Sequence, residues 1–234
     1  MNSSPFFLLP GLCLALALHS TAAETLLEEH FEDYGSSPQL IDASGGGWRS
    51  EQSDGGGLPP VLRDGDTQFI QLSRETSGKA RNGFLSKDFP EVSQSKVRLA
   101  FRMLHSEGGA AQYVGLFNSG RTAGYAVWWT AGEAPDNGVI KVIRFEGSSQ
   151  IPWSDRGSEI AIIRNAQVPH PAHQTPLAAF EFLIDQKTGE FRLAIDGDEK
   201  VTGRDGSPLQ ALSQVVVKGN KGGLFDDIVV RTEK

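Results

Sequence analysis

Cysteine is nearly missing from this sequence. Cys13 is the one thiol in 234 residues, and it sits inside an apolar stretch near the start. From Glu24 onward the chain has none, which excludes disulfides, thiol nucleophiles and thiolate metal sites. Positive charge is also short: 22 Lys and Arg face 29 Asp and Glu, a net charge of −7. A chain without a basic stripe cannot supply the phosphate neutralisation that nucleic-acid binding needs, and the same balance argues against anionic membrane surfaces. Beyond the first twenty or so residues no stretch is apolar and long enough to cross a bilayer, and no window holds helical apolar spacing over three turns. No phosphate loop, dinucleotide-binding glycine pattern, Gly-x-Ser-x-Gly elbow or His-Glu-x-x-His helix is present, so nothing points to a nucleotide or redox cofactor.

The N-terminus carries the first positive signal. Phe6 to Leu18 is almost wholly apolar, Thr21-Ala22-Ala23 is small, and no charged side chain precedes Glu24. Residues 1–23 read as a secretory signal peptide, because His19-Ser20-Thr21 ends the run short of the roughly 20 apolar residues a spanning helix needs. Removing it leaves 234 − 23 = 211 residues, and residues 24–234 are expected to form one exported domain, secreted or periplasmic. That length fits one all-β domain and suffices for a core without covalent staples.

Short alternating segments fill that domain. Val97, Leu99, Phe101 and Met103 oppose Arg98 and Arg102. Phe180, Phe182 and Ile184 oppose Glu181 and Asp185. Phe191, Leu193 and Ile195 oppose Glu190, Arg192 and Asp196. Period-2 alternation with one apolar face predicts antiparallel strands half covered by a core. Asp185 to Gly189 and Asp196-Gly197 read as hairpin turns. The 27 Gly and 12 Pro keep the segments short, so the pattern predicts an all-β, antiparallel two-sheet β-sandwich. Residues 45–60 and 165–176 read as long surface loops, since Pro169, Pro171 and Pro176 cannot sit in a central strand.

The two ends of the chain carry a resemblance. Leu26-Leu-Glu-Glu-His-Phe-Glu-Asp-Tyr34 followed by Gly47-Trp48, and the closing Leu224-Phe-Asp-Asp-Ile-Val-Val-Arg231, resemble the ends of bacterial concanavalin A-like (LamG-like) jelly-roll domains. The hairpin Phe180 to Asp185 and Gly189 to Gly197 is similar as well. The resemblance implies two curved sheets with the first and last strands side by side. It also implies carbohydrate binding on the concave sheet or its loops in many members, calcium near the paired termini in several, and glycosidase or lyase activity in others. One fold hosts many functions.

Four groups of residues are candidates for chemistry. Family glycosidases carry Glu and Asp alternating on one strand. This sequence has no such string, the nearest being Asp196-Gly-Asp-Glu199 at a turn. His170 and His173 form a spaced imidazole pair suited to metal or acid–base work, and they are the residues on which an alternative enzyme, a glycoside hydrolase or lyase, would rest. Glu32 and Asp227 are expected ligands if a structural calcium joins the chain ends, because a hard cation wants oxygen donors. In Tyr125-Ala-Val-Trp-Trp-Thr130 the neighbours Trp128 and Trp129 must point to opposite faces of a strand. One of them, with Trp153, is expected to stack on a sugar ring. These readings favour a non-catalytic module for an extracellular or periplasmic glycan. The alternatives are that enzyme and a structural cell-surface protein.

Overall fold

The computed structural model describes residues 23–34, 47–52, 61–64, 67–72, 82–104, 111–130, 138–147, 157–164, 177–220 and 223–233. Trp153, His170 and His173 lie outside them. The described residues form β1 (Thr25–Glu29), a 3-10 turn (Glu32–Tyr34), β2 (Arg49–Gln52), β3 (Val61–Asp64), β4 (Thr67–Leu72), β5 (Asn82–Val92), β6 (Lys96–Leu104) and β7 (Ala111–Phe117). They continue with β8 (Ala123–Thr130), β9 (Val139–Glu146), β10 (Ser158–Arg164), β11 (Ala178–Asp185), β12 (Glu190–Ile195), β13 (Asp198–Arg204), β14 (Leu212–Asn220) and β15 (Gly223–Glu233). No helix among them is long and apolar enough to cross a membrane.

Two antiparallel sheets result. An eight-stranded sheet runs β13-β12-β11-β6-β15-β4-β3, with β1 also paired to β15, and a seven-stranded sheet runs β10-β9-β8-β7-β14-β5-β2. The alternating segments lie where their pattern demands. Val97, Leu99, Phe101 and Met103 of β6 are buried, as are Phe180, Phe182 and Ile184 of β11. They meet Val114, Leu116, Tyr125, Val127, Trp129, Val215 and Val217 of the opposite sheet in one inter-sheet core. Asp196 and Gly197 adopt φ of 51° and 84°, the two positive values a tight two-residue hairpin needs to match strand twist.

The first and last strands pair as expected, with Leu27 opposite Val230 and Glu29 opposite Ile228. β15 changes partner along its length. Residues 223–225 pair with β4, whereas 228–231 pair with β1. The bulge between Asp226 and Val229 falls at that change, with Asp227 at a φ of 49°. A bulge of this kind lets one strand bend and serve two neighbours.

Candidate functional site

The seven-stranded sheet carries buried apolar residues on both faces. Its outward face holds a second buried cluster of Phe84, Tyr113, Phe117, Ala126, Trp128, Ile143, Phe145 and Val216. All of these come from that one sheet, on the side away from the inter-sheet core. Register arranges this face in three rows. One runs Phe84, Lys218, Tyr113, Trp128 and Lys141; the next Arg49, Ser86, Val216, Gly115, Ala126 and Ile143; the last Asp88, Gln214, Phe117, Gly124 and Phe145.

The first row is aromatic around a lysine. Lys218 Nζ stands 5.7 Å from the Phe84 ring, 5.8 Å from Tyr113 and 5.1 Å from Trp128, within the range of cation–π attraction. Tyr113 and Trp128 stack at 5.5 Å between centroids. The Trp128 indole is oriented by its own strand, its Nε1 donating to Thr130 Oγ1 at 3.0 Å.

At the far end of β5 and β14 the face is polar. Asp88 receives Arg49 through a bidentate pair, Nη1 at 2.7 Å and Nη2 at 2.6 Å, and Gln214 Nε2 donates to Asp88 Oδ1 at 2.7 Å. The Arg49 bonds are the main reason that the Asp88 carboxyl lies below its usual range. An open depression of about 530 Å³ lies here, lined by Arg49, Asp88, Glu91, Arg121, Ser213 and Gln214 among others. Its rim is a tight turn between β7 and β8. There Asn118 Oδ1 accepts from the Thr122 amide at 2.8 Å, and Arg121 takes a φ of 52°. A row spacing of four strand residues separates the aromatic and polar ends by roughly 13 Å.

The tryptophans divide by face as their parity requires, but neither is exposed. Trp129 is 2% exposed and belongs to the inter-sheet core, where its ring lies 5.8 Å from Phe180. Trp128 is on the outward face at 7% exposure. The expectation of an open tryptophan is thus corrected: Trp128 is buried in a cluster with Phe84, Tyr113, Phe117 and Phe145, aromatics from three other strands of the sheet.

The pair Glu32 and Asp227 is not gathered as a cation site. Asp227 Oδ1 meets His30 Nδ1 at 2.7 Å and its Oδ2 meets Arg102 Nε at 3.1 Å, so nitrogen partners already occupy both oxygens. Glu32 Oε1 accepts from the Gln68 amide at 3.2 Å. Among the described residues no group of three or more Asp, Glu, His or Cys is placed to hold a metal. His30, which the sequence leaves isolated, bridges Asp227 and Glu28, and the Asp227 bond in particular raises its pKa.

Sequence reading also missed Asp88, Gln214 and Lys218. Each looks like an ordinary polar residue in a strand, and only the pairing of β5 with β14 makes them neighbours.

No family model and no curated protein matches the sequence. Solved structures do resemble it. One is β-agarase A in complex with oligoagarose, at a TM-score of 0.55 and 11% identity over 80% of this chain and 82% of that one. A second is a protein of unknown function with a galectin-like fold from Bacillus subtilis, at 0.54 and 9% over 90% and 97%. A third is a legume lectin-like domain from Entamoeba histolytica, at 0.51 and 10% over 88% and 93%. At these identities the likeness defines the architecture: the chain has the concanavalin A-like jelly-roll fold.

Proposed function

We propose that this protein is a non-catalytic carbohydrate-binding module that works outside the cytoplasm. The observation that carries the reading is the outward face of the seven-stranded sheet. It sets a fixed polar array, Arg49–Asp88–Gln214, in the wall of an open depression. Sugars present many hydroxyls, so planar hydrogen-bonding side chains held in fixed orientation in a concave wall are what such a ligand requires. The similarity in fold to a lectin-like domain and to an oligoagarose complex supports the same class of ligand.

The acid content of the face supports a role without hydrolysis. Glycoside hydrolysis by the common route needs two carboxyl groups flanking the bond. β7, β8 and β14, which form the middle of the sheet, contain no Asp or Glu, and Asp88 is engaged by Arg49 and Gln214. Export is supported by the apolar, uncharged leader-like stretch before Glu24.

A glycan array paired with a reducing-sugar release assay tests the reading. Binding without release is the expected result. Release of reducing ends overturns the non-catalytic role, and an array with no bound glycan overturns the proposal.

A further inference from the structure

The wall of the polar depression includes two residues with a buried polar atom that no described residue pairs. Gln214 is 3% exposed and Ser213 is 7% exposed. Among the described residues neither Gln214 Oε1 nor Ser213 Oγ finds a hydrogen-bond partner, although both residues line the depression. Buried polar groups are nearly always paired, so two neighbouring exceptions in one wall call for a partner that the described residues do not supply.

The chemistry of the missing partner follows from the chemistry of the two atoms. The Asp88 carboxylate only accepts, so the Gln214 amide must turn its Nε2 toward Asp88, and Oε1 faces the other way as an acceptor. Gln214 Oε1 therefore needs a donor. The Ser213 hydroxyl both donates and accepts. Ser213 lies at a register shift of β14 against β5, between Leu212 and Gln214, and such bulges re-aim side chains out of the ladder. The depression is balanced in charge: Arg49 and Arg121 face Asp88 and Glu91, and Arg121 also helps to hold the Asp88 pKa down.

Taking the carbohydrate-binding reading as given, we propose that this depression is a subsite for a pair of adjacent hydroxyls on a neutral sugar ring. One hydroxyl donates to Gln214 Oε1, and its neighbour exchanges hydrogen bonds with Ser213 Oγ. Asp88 acts as a positioning residue that fixes the Gln214 amide, and Arg49 fixes Asp88. The balanced charge gives a uronic acid no advantage there. A depression of about 530 Å³ lies within the size range of small-ligand sites.

The test is an amide NMR titration of the full chain without its leader. The probes are methyl glycosides and short oligomers of glucose, galactose and mannose, with the matching uronic acids. The expected result is saturable shifts at Ser213, Gln214 and the 119–121 turn with a neutral sugar. Ser213→Ala should weaken that binding about tenfold while leaving the melting midpoint unchanged, because the hydroxyl it removes has no partner among the described residues. Sugar binding that shifts only the Phe84–Tyr113–Trp128 row overturns the subsite and leaves the carbohydrate reading standing. Preference for uronic acids, an unaltered affinity in Ser213→Ala, or a crystal of the soaked protein with ordered water only in the depression overturns it as well. No shift with any probe overturns both readings.

Discussion

Trp48 Nε1 donates to Glu29 Oε2 at 2.9 Å, with both residues buried. Glu29 also accepts from the Phe31 amide at 3.0 Å, the Tyr34 hydroxyl at 2.8 Å and Lys87 Nζ at 2.9 Å. One carboxylate thus ties the end of β1 to the 3-10 turn, to Trp48 and to β5 of the other sheet. Burial alone would raise its pKa, but together these four donors lower it. Lys87 further lies 5.6 Å from the Trp48 ring.

Glu29→Gln should therefore be among the costlier single changes. It removes the charge opposite Lys87 and sets an amide N–H against one of the donors that the carboxylate accepted. Breaking a buried pair in this way costs about 3 kcal/mol, read as a lower urea midpoint with an unchanged slope. The sign with pH follows from the lowered pKa. The stability that Glu29 contributes is present above its ordinary value of 4.5 and is lost as pH falls through its folded value. The gap between the variant and the parent should narrow in acid.

A second anchor holds the crossing between the sheets. Tyr125 OH donates to Asp205 Oδ2 at 2.6 Å and accepts from the Leu209 amide at 2.9 Å. Residues 205–209 carry the chain from β13 in one sheet to β14 in the other. Arg144 Nε completes the cluster, 2.9 Å from Asp205. Burial is the main reason that the tyrosine pKa rises, with the Asp205 bond adding to it. Tyr125→Phe should cost about 2 kcal/mol, because a buried carboxylate and a buried amide each lose a partner. Faster amide exchange at Leu209 would separate this from a general loss of packing.

Much of this architecture is legible in the residues themselves. The alternation at Val97–Met103 and Phe180–Ile184 names the buried face, since a one-residue slip would put every apolar side chain into water. The parity of Trp128 and Trp129 gives their opposite faces. Their exposure is not legible, because Phe84, Tyr113 and Phe145, which crowd the outward face, reach it from three other strands. The polar array is hidden for the same reason. Arg49 and Asp88 are 39 positions apart, and Asp88 and Gln214 are 126, so no local pattern links them.

Gly124 tests how tightly the outward aromatic face is packed. A Cβ there would stand 2.3 Å from Phe117 Cδ1 and 2.6 Å from the Leu116 carbonyl. The ring can shift, but the backbone oxygen cannot. Gly124→Ala should cost about 1–3 kcal/mol through overpacking and should shift the Phe117 ring resonances. Gly206→Ala, where a Cβ would meet nothing within 4 Å, serves as the control and should lie within about 0.5 kcal/mol of the parent.

Asp226 gives the opposite pH dependence to Glu29. It is 1% exposed, and burial pushes its carboxyl up to about 7 from an ordinary 3.8, with Asp227 and Glu32 adding repulsion. Folding then takes up a proton between those two values. The contribution to stability is complete below 3.8 and disappears as pH rises through about 7. Asp226→Asn keeps an acceptor for the Asp227 amide, which Asp226 Oδ1 now receives at 2.8 Å, and it cannot ionise. The variant should melt close to the parent at about pH 3.5, pull ahead of it as the pH rises between 3.8 and about 7, and lie several degrees above it at about pH 8.5, a gain on the order of 2–4 kcal/mol. The comparison belongs in excess chelator, where no cation can supply the counter-charge that an ionised Asp226 lacks. Equal midpoints at the alkaline pH would show that the carboxylate is accommodated in its charged form, and that burial at this bulge is less complete than its contacts imply.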